Sequence, residues 1–345
     1  MRITAVLCVR NEGAFLLEWL AHHRACGITD FLVFSNDCED GTDAMLDRLD
    51  ALGWLTHVRN PGPFDEGPQW AALKQADRHP LVREADWLVA LDIDEFINIH
   101  VGDRTIPALL AALPRATAIP LTWRMFGNAG VERFEDAPVT ETFTRCAPPD
   151  LHWPWRALMV KTLYRNDGSY RKLGVHRPRS PVPGRMAGQC WVDGSGRTLP
   201  AEYHTGRLFS APGQDHYRLA QLNHYALGAV ESYLLKCDRG RPNREASVMG
   251  VDYWVDRNFC DVEDRSILAL DSTDLRAGLA ADGVLGPLHR AAVAWRRARF
   301  RSLMADEPWR ALYGRLLMTA PSRSLPRSTA DMIRAAGKRT GSTPG

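Results

Sequence analysis

The order of apolar and polar positions over the first 125 residues predicts strands that alternate with helices. Ile3–Val9 is a short apolar run of the kind found in buried strands. Asn11 is placed to cap a helix that Gly27 ends. One face of that helix is apolar, with residues at helical spacing: Leu16, Trp19, Leu20 and His23. The chain therefore opens with a strand and an amphipathic helix.

The same alternation continues and gives four or five strand-helix units. Further apolar runs are predicted as strands: 31–34, 54–58, Trp87–Leu91 and Ala118–Met125. Segments with helical periodicity are 42–52, 69–78 and 105–113. The stretch 60–68 holds three prolines and two glycines and is predicted as a loop. Such units in series build a mostly parallel sheet covered by helices, so the predicted fold class is α/β.

The pattern changes after about residue 129. Residues 129–210 are rich in Pro, Gly, Trp and Arg and are predicted as irregular, with short strands such as 157–164. Helical spacing returns from Tyr217, and a helix is predicted over 287–304. That helix is basic, so it is predicted either to rest on an anionic membrane surface or to present a solvated face. The tail 321–345 is predicted to be disordered.

Composition narrows the class of protein. The chain has 345 residues, 45% of them hydrophobic and 24% charged, with a net charge of +2. This is the make-up of a globular enzyme, and it gives no bulk positive field to hold a nucleic acid. Seven cysteines without a C-x-x-C pair are interpreted as reduced thiols. The run Ile3–Val9 is too short for a signal peptide or a membrane span, so a cytoplasmic location is expected.

The segment WLVALDIDEFI, residues 87–97, carries the candidate chemistry. If the strand stays extended, Asp92 and Asp94 project to the same side at its carboxyl end. Ligands of open α/β sheets collect at that edge. Two neighbouring carboxylates repel each other unless a cation lies between them, and the usual partner is Mg²⁺ or Mn²⁺. Such ions also bind phosphate, so the motif predicts a site for a diphosphate.

Three other interpretations of this motif are open. Asp92 and Asp94 are also common residue types in a turn at a strand end. Aspartyl-phosphate hydrolases place D-x-D at a strand end, and Asp92 would then be a nucleophile. Their motif normally opens the chain, whereas here it lies near residue 92 and is followed by Glu-Phe. A non-catalytic module that binds a nucleotide or carbohydrate is the third interpretation.

Several segments together resemble the GT-A-fold glycosyltransferases, specifically family-two-like and family-92-like bacterial members. The segments are VLCVRNEGAFLLEWLAHHRACGITDFLVFSNDCEDGTD, LVALDIDEFI, LTWRMFGNAG, KLGVHRP and LNHYALGAVESYLLKCDRG. The resemblance implies a GT-A domain over 1–240, with a nucleotide-binding half 1–128 and an acceptor half 129–240. A helical extension over 241–320 and the tail 321–345 complete the predicted organisation.

The resemblance also implies roles for individual residues. The residues implied at the nucleotide are Arg10, Asn11, Glu12, Asn36, Asp37 and Asp92. Asp94 is implied as the direct ligand of Mn²⁺ or Mg²⁺, with Asp92 turned toward the ribose and the metal. A downstream histidine completes such sites, with His176 as first choice and His224 as second. Candidates to neutralise phosphate are Lys172, Arg177, Lys236 and Arg239.

The implied activity is transfer of a sugar from a nucleotide-sugar donor, a UDP-sugar first of all, to a glycan or glycolipid. Metal dependence, inversion at the anomeric carbon and a role in bacterial surface polysaccharide synthesis are implied with it. Asp94 and Glu95 are the catalytic candidates. The base that an inverting enzyme needs is left open among Glu95, Asp136, Glu141, Asp193 and Glu202. Candidates for stacking on sugars or for the core are Trp123, Trp153, Trp155 and Trp191.

Overall fold

The computed structural model describes residues 1–240 and 249–339. The start of the predicted extension, 241–248, and the end of the predicted tail, 340–345, lie outside the described residues. The strands are β1 Ile3–Val9, β2 Asp30–Ser35, β3 Thr56–Arg59, β4 Trp87–Leu91, β5 Glu95–Ile99, β6 Ala118–Met125, β7 Arg145–Cys146, β8 Val160–Arg165, β9 Tyr170–Lys172, β10 Arg179–Pro181, β11 Ala220–His224 and β12 Val262–Glu263.

Helices cover the sheet and form most of the carboxyl-terminal part. They are α1 Gly13–Ala25, α2 Thr42–Ala51, α3 Pro68–Ala76, α4 Pro80–Arg83, α5 Ile106–Ala112, α6 Val139–Thr142, α7 Glu202–Thr205, α8 Val230–Arg239, α9 Val251–Val255, α10 Thr273–Ala281, α11 Leu285–Leu303, α12 Glu307–Met318 and α13 Arg327–Arg339. Within the described ranges, no helix combines the length and the apolar character needed to cross a bilayer.

One sheet of eight strands organises the molecule, in the order β3-β2-β1-β4-β8-β6-β11-β5. The strands β3, β2, β1 and β4 run parallel, and so do β6 and β11. The pairs β4-β8, β6-β8 and β11-β5 are antiparallel. The predicted α/β class with a mostly parallel sheet and flanking helices is confirmed. Because β1 lies between β2 and β4 in parallel register, the carboxyl ends of all three meet at one edge.

The predicted cap of α1 is wrong. Asn11 has a left-handed backbone (φ 56°), and its Oδ1 accepts the Glu39 backbone N–H at 2.7 Å. Asp40 caps the helix instead, because its Oδ2 accepts the backbone N–H of Gly13 at 3.0 Å. A side chain from the loop before α2 therefore replaces the local cap, which ties the ends of β1 and β2 together.

The predicted helical spacing from Tyr217 onward is wrong at its start, where residues 220–224 form the strand β11, and is confirmed from Val230, where α8 begins. All five residues of β11 are buried, among them Gln221 and Asn223. Gln221 Nε2 donates to Asn223 Oδ1 at 2.7 Å, and Asn223 Nδ2 donates to Tyr225 Oη at 3.0 Å. Polar side chains can be buried in β11 because they hydrogen-bond to one another. The strand therefore lacks the apolar run from which a buried strand is predicted.

The carboxyl-terminal predictions are partly corrected. The tail predicted as disordered contains α13, on which Ala330 is fully buried. The basic helix forms as α11, but several of its arginines are engaged within the protein. Arg296 is buried, Arg297 lies 3.9 Å from Glu135, and Arg299 forms a two-bond pair with Asp238. The positive charge of this helix is therefore only partly presented to solvent.

Gly194 is a position of close backbone approach. A Cβ at this residue would overlap the carbonyl oxygens of His216 and Ala220. Replacement Gly194→Ala is expected to lower the free energy of unfolding by about 1–3 kcal/mol, because rigid backbone must move to admit the methyl group. Chemical denaturation measures this loss. Gly188→Ala is the control, since a Cβ there meets nothing within 4 Å, and an equal loss in both variants would contradict the argument.

His22 makes stability depend on pH. It lies in the core with Nε2 2.7 Å from the Ile97 carbonyl, and burial lowers its pKa to about 4. The unfolded chain, with an ordinary histidine pKa near 6.5, binds the proton more readily. The contribution of His22 to the free energy of unfolding is therefore fully present above about pH 6.5 and is lost as the pH falls toward 4. Chemical denaturation measures the free energy of unfolding at pH 7 and at pH 5. The decrease between these two pH values should be smaller in His22→Gln than in the parent or in the control His152→Gln.

Candidate functional site

The two aspartates of the acidic motif lie in a turn between β4 and β5 at the carboxyl edge of the sheet. The Trp19 indole N–H donates to the carbonyl oxygens of Asp92, at 3.2 Å, and Glu95, at 2.9 Å. The prediction that Asp92 and Asp94 share one side of an extended strand is wrong. Strand β4 ends at Leu91, and the turn directs the two carboxylates to different partners.

Asp92 is held by two side chains from other elements. Its Oδ2 lies 2.9 Å from Lys161 Nζ on β8, and its Oδ1 accepts the Gln69 amide N–H of α3 at 2.9 Å. The Lys161 side chain is fully buried, whereas 34% of the Asp92 side chain is exposed. Both oxygens of Asp92 are thus bonded within the protein, although one side of the group meets solvent.

Glu95 lies beneath the turn with no exposed side-chain area. Its Oε1 accepts the Trp123 indole N–H at 2.6 Å, and its Oε2 accepts the Asp92 backbone N–H at 2.8 Å and lies 3.5 Å from Lys161. Burial raises the pKa of Glu95 well above its usual range, against the opposing charge of Lys161. A base must contact the acceptor hydroxyl, so this enclosed carboxyl is a positioning residue and does not suit the predicted catalytic role.

Asp94 faces the other way and pairs with a second lysine. Its Oδ2 lies 2.6 Å from Lys236 Nζ on α8 and 3.6 Å from His224 Nε2 at the end of β11. Burial alone would raise the pKa of Asp94, but Lys236 and His224 outweigh it and hold the pKa well below the usual range. Lys236 also donates to the Ala226 carbonyl at 2.7 Å. Asp94 is therefore an ionised carboxylate that fixes a half-buried ammonium group.

Two histidines flank the Trp123 ring. The ring centroid of His224 lies 4.2 Å from that of Trp123, and the centroid of His176 lies 5.6 Å from it. Burial lowers the pKa of both histidines, to about 4 for His176. The Nδ1 of His176 lies 3.0 Å from the Val160 carbonyl, so the neutral ring carries its proton on Nδ1. His224 Nδ1 is buried and has no hydrogen-bond partner among the described residues.

The predicted metal ligand set does not assemble. Over residues 1–240 and 249–339, no group of three or more His, Cys, Asp and Glu side chains is arranged to hold a metal ion. The negative charge of Asp92 is met by Lys161 and that of Asp94 by Lys236. The first-choice set Asp92, Asp94 and His176 is thus not gathered around one point, whereas His224, the second choice, lies 3.6 Å from Asp94 Oδ2. Metal binding stays a prediction.

The residues predicted for the nucleotide from β1 and β2 lie at the same sheet edge. Glu12 forms an ion pair with Arg239, whose Nη1 also donates to the Arg10 carbonyl at 3.1 Å. Asn36 is buried and accepts the Cys8 thiol at 3.2 Å. Asp37 follows it, exposed and with a left-handed backbone (φ 48°). Among these, Asn11 and Glu12 line the same pocket as Asp94, Lys236 and Arg239.

Other predicted residues lie apart from this network. Lys172 is exposed on β9, and the Arg177 guanidinium donates to the carbonyls of Pro178 and Thr205. The remaining candidates for a base are engaged elsewhere: Asp136 with His289, Glu141 near Arg276, Asp193 with Arg197 and His216, and Glu202 near Arg207. The structure thus does not bring Lys172 or these carboxylates to the acidic turn.

Sequence reasoning missed Lys161, which contacts both Asp92 and Glu95. A signal was present, because Lys161 interrupts the apolar run 157–164 that was predicted to be a strand. Lysine is almost never fully buried unless it is paired. A lysine in such a strand therefore predicts a buried carboxylate partner, and the acidic motif supplies one.

An α/β sheet with an acidic turn and several cations at its carboxyl edge is an arrangement suited to holding a diphosphate. The chain belongs to glycosyltransferase family 92, whose family model matches residues 5–185. A family 92 protein of Oryza sativa subsp. japonica is 27% identical over 149 residues, which cover 42% of this chain and 25% of the relative. A family 92 protein of Ricinus communis is 28% identical over 99 residues, covering 27% and 16%.

The chain thus spans a quarter or less of these plant relatives, and they do not support the predicted bacterial origin. Two solved structures show partial likeness. S. aureus TarS is 18% identical with a TM-score of 0.29, covering 48% of this chain and 28% of that one. An active-site mutant of LgtC is 12% identical with a TM-score of 0.31, covering 65% and 87%.

Lys161 is expected to be essential for stability. Replacement Lys161→Met leaves the Asp92 carboxylate without its buried cation and the Glu95 carboxyl without a neighbouring charge, which should cost about 3–5 kcal/mol in the free energy of unfolding. Chemical denaturation measures this cost. The exposed pair Lys74 and Glu66 provides the control, and Lys74→Met should cost less than about 1 kcal/mol.

A double variant separates charge from packing. Adding Asp92→Asn to Lys161→Met removes the carboxylate that has lost its cation and should recover part of the lost stability. If Lys161→Met alone unfolds with the parent's free energy, the ion network does not hold the turn.

Proposed function

We propose that this chain transfers a sugar from a nucleotide-sugar donor to a glycan or glycolipid acceptor. The observation that carries the proposal is the pair of Lys236 and Asp94, 2.6 Å apart, in a pocket at the carboxyl edge of the sheet. Arg239 lines the same pocket, so two cations face it from α8. Membership of glycosyltransferase family 92 supports the proposal.

The chemical task is to release a nucleoside diphosphate from the anomeric carbon. The bond from that carbon to the phosphate oxygen breaks, the acceptor oxygen bonds to the carbon, and the acceptor hydroxyl loses its proton. Negative charge grows on the leaving phosphate as the sugar gains oxocarbenium character. Lys236 is placed to stabilise this charge, since a fixed cation in a site shielded from water acts strongly on a developing anion.

Asp94 supports this role by fixing the ammonium group. Its ionised carboxylate and the Ala226 carbonyl hold Lys236 in one position, so little reorganisation is needed when the phosphate leaves. The same contacts make Asp94 a weak proton acceptor, because its pKa is held far below neutrality. The base is therefore unassigned in this proposal, and the inverting outcome stays a prediction.

The Mn²⁺ or Mg²⁺ requirement also stays a prediction. An ion binding Asp94 Oδ2 would compete with Lys236 for the same oxygen, so the proposal assigns charge neutralisation to the chain's own cations. A UDP-linked donor, a role in bacterial surface polysaccharide synthesis and membrane contact through 287–304 are further predictions of the same kind. Use of Asp92 as a phosphohydrolase nucleophile is disfavoured, because Lys161 and Gln69 engage both of its oxygens.

Lys236→Gln is expected to lower donor turnover about 100-fold or more, because the variant loses a fixed charge at the leaving group. The measurement is the release of the nucleotide, a diphosphate from UDP-, GDP- and dTDP-linked sugars and CMP from CMP-linked sugars, after removal of divalent ions and again with Mn²⁺ added. Exposed Lys74→Gln is the control and should keep the parent's rate.

A thermal-shift series with the same donors reports binding separately, since a ligand that binds only the folded state raises the melting temperature. If no donor shifts the parent and none is turned over, with or without Mn²⁺, the proposed function is wrong. If turnover appears only with Mn²⁺, neutralisation by lysine alone is wrong.

A further inference from the structure

The pocket beside Asp94 continues into an apolar chamber that the reaction itself does not require. Its cavity volume, counted as the space open to the centre of a water-sized sphere, is about 120 Å³. The chamber is lined by aromatic and aliphatic side chains, among them Phe15, Leu227, Phe134, Val139, Phe143 and Trp295. Sugars and phosphates gain little from such a lining, whereas a hydrocarbon chain is stabilised by leaving water for it.

A buried cation lies in the wall of this chamber. Arg296 of α11 is only 6% exposed, and its guanidinium lies over the rings of Phe15, at 4.5 Å, and Phe134, at 5.0 Å. Its Nε is buried without a hydrogen-bond partner, and Arg296 forms no ion pair within residues 1–240 and 249–339. Burial lowers its pKa to about 10. Aromatic faces compensate such a charge only in part.

The charged residues near Arg296 do not form an ion pair with it. Arg239 lines the same pocket and is already paired with Glu12. Burial, and then the nearby charge of Arg296, lowers the pKa of Arg239 to about 10. Asp40 is the acidic group whose field reaches Arg296, but its oxygens accept from Gly13 and Thr42. The chamber lining carries four acidic and four basic side chains, and Arg296 is a basic one that is left without an ion pair in the described part of the chain.

We propose that this chamber binds the acceptor, and that the acceptor is an anionic amphiphile, a hydrocarbon chain that carries a phosphate. The chain lies against Phe15, Phe143 and Trp295, and the phosphate pairs with Arg296. A guanidinium matches phosphate oxygens with two parallel hydrogen bonds. The assignment to an acceptor rests on the proposed function, because the same pocket contains Asp94 and Lys236, where the donor's phosphate leaves.

The test uses the full chain with three probes: n-octyl phosphate, n-octanol and inorganic phosphate. Calorimetric titration should show n-octyl phosphate binding at least about tenfold more tightly than either of the others, since it alone has both the chain and the charge. Arg296→Met should weaken n-octyl phosphate about tenfold or more and leave n-octanol within about threefold. Arg297→Met is the matched control, because Arg297 is exposed and does not line the chamber.

Arg296→Met should melt at or above the parent's temperature, because it replaces an unpaired buried charge with an apolar side chain of similar length. A second variant does not depend on that result. Ala137 is exposed at the chamber wall, and Ala137→Trp should narrow the space and weaken both octyl probes while UDP still binds.

Three results would overturn the proposal. One is the absence of n-octyl phosphate binding, another is equal binding of inorganic phosphate, and the third is loss of UDP binding in Arg296→Met, which would assign this cation to the donor. The two proposals fail separately. Donor binding and turnover without n-octyl phosphate binding would contradict only the proposal of an amphiphilic acceptor. Arg296-dependent binding of n-octyl phosphate without any donor turnover would contradict only the proposal of sugar transfer.

Discussion

The buried ammonium group of Lys161 is the constraint on which the acidic turn depends. Two carboxylates, Asp92 and Glu95, lie within 3.5 Å of it, and neither Lys161 nor Glu95 has exposed side-chain area. Burial of the Lys161 ammonium group without a carboxylate beside it would cost several kcal/mol, so the lysine and the acidic turn stabilise each other. Because Lys161 comes from β8 and the carboxylates follow β4, this one interaction fixes the antiparallel pair β4-β8 relative to the turn.

That constraint divides the motif into two parts. Glu95 is turned to the interior and Asp92 is half-buried, and both pair with Lys161, while Trp123 and Gln69 bond to their other oxygens. Asp94 lines the pocket instead, and its carboxylate accepts a hydrogen bond from Lys236. The two aspartates thus act in different ways although they are two residues apart. One stabilises the turn, and the other sets the electrostatics of the space beside it.

The sequence predicted the parts of the fold in which side-chain type and burial agree. Bounds of β1, β4 and β6 were predicted to the residue, because β1 and β4 are apolar runs ended by polar residues and β6 is mostly apolar. Prediction failed where polar side chains are buried, as in β11, and where a cap comes from a distant loop, as with Asp40 and Gly13. Those features depend on partners that are remote in the chain, which local periodicity does not contain.

Contacts between remote parts of the chain also form the pocket, which has lining residues on both sides of residue 240, the predicted end of the GT-A domain. The pocket that contains Asp94 is completed by Trp295 and Arg296 of α11, which packs so closely on α1 that a Cβ at Gly13 would lie 2.8 Å from the Ala292 Cβ. Leu16 of α1 and Leu285 of α11 share one hydrophobic core. An unpaired Arg296 weakens that core, so its presence is better explained by binding than by stability. Under the proposed binding of an amphiphile, α11 would form part of the acceptor site, because Trp295 and Arg296 line the chamber.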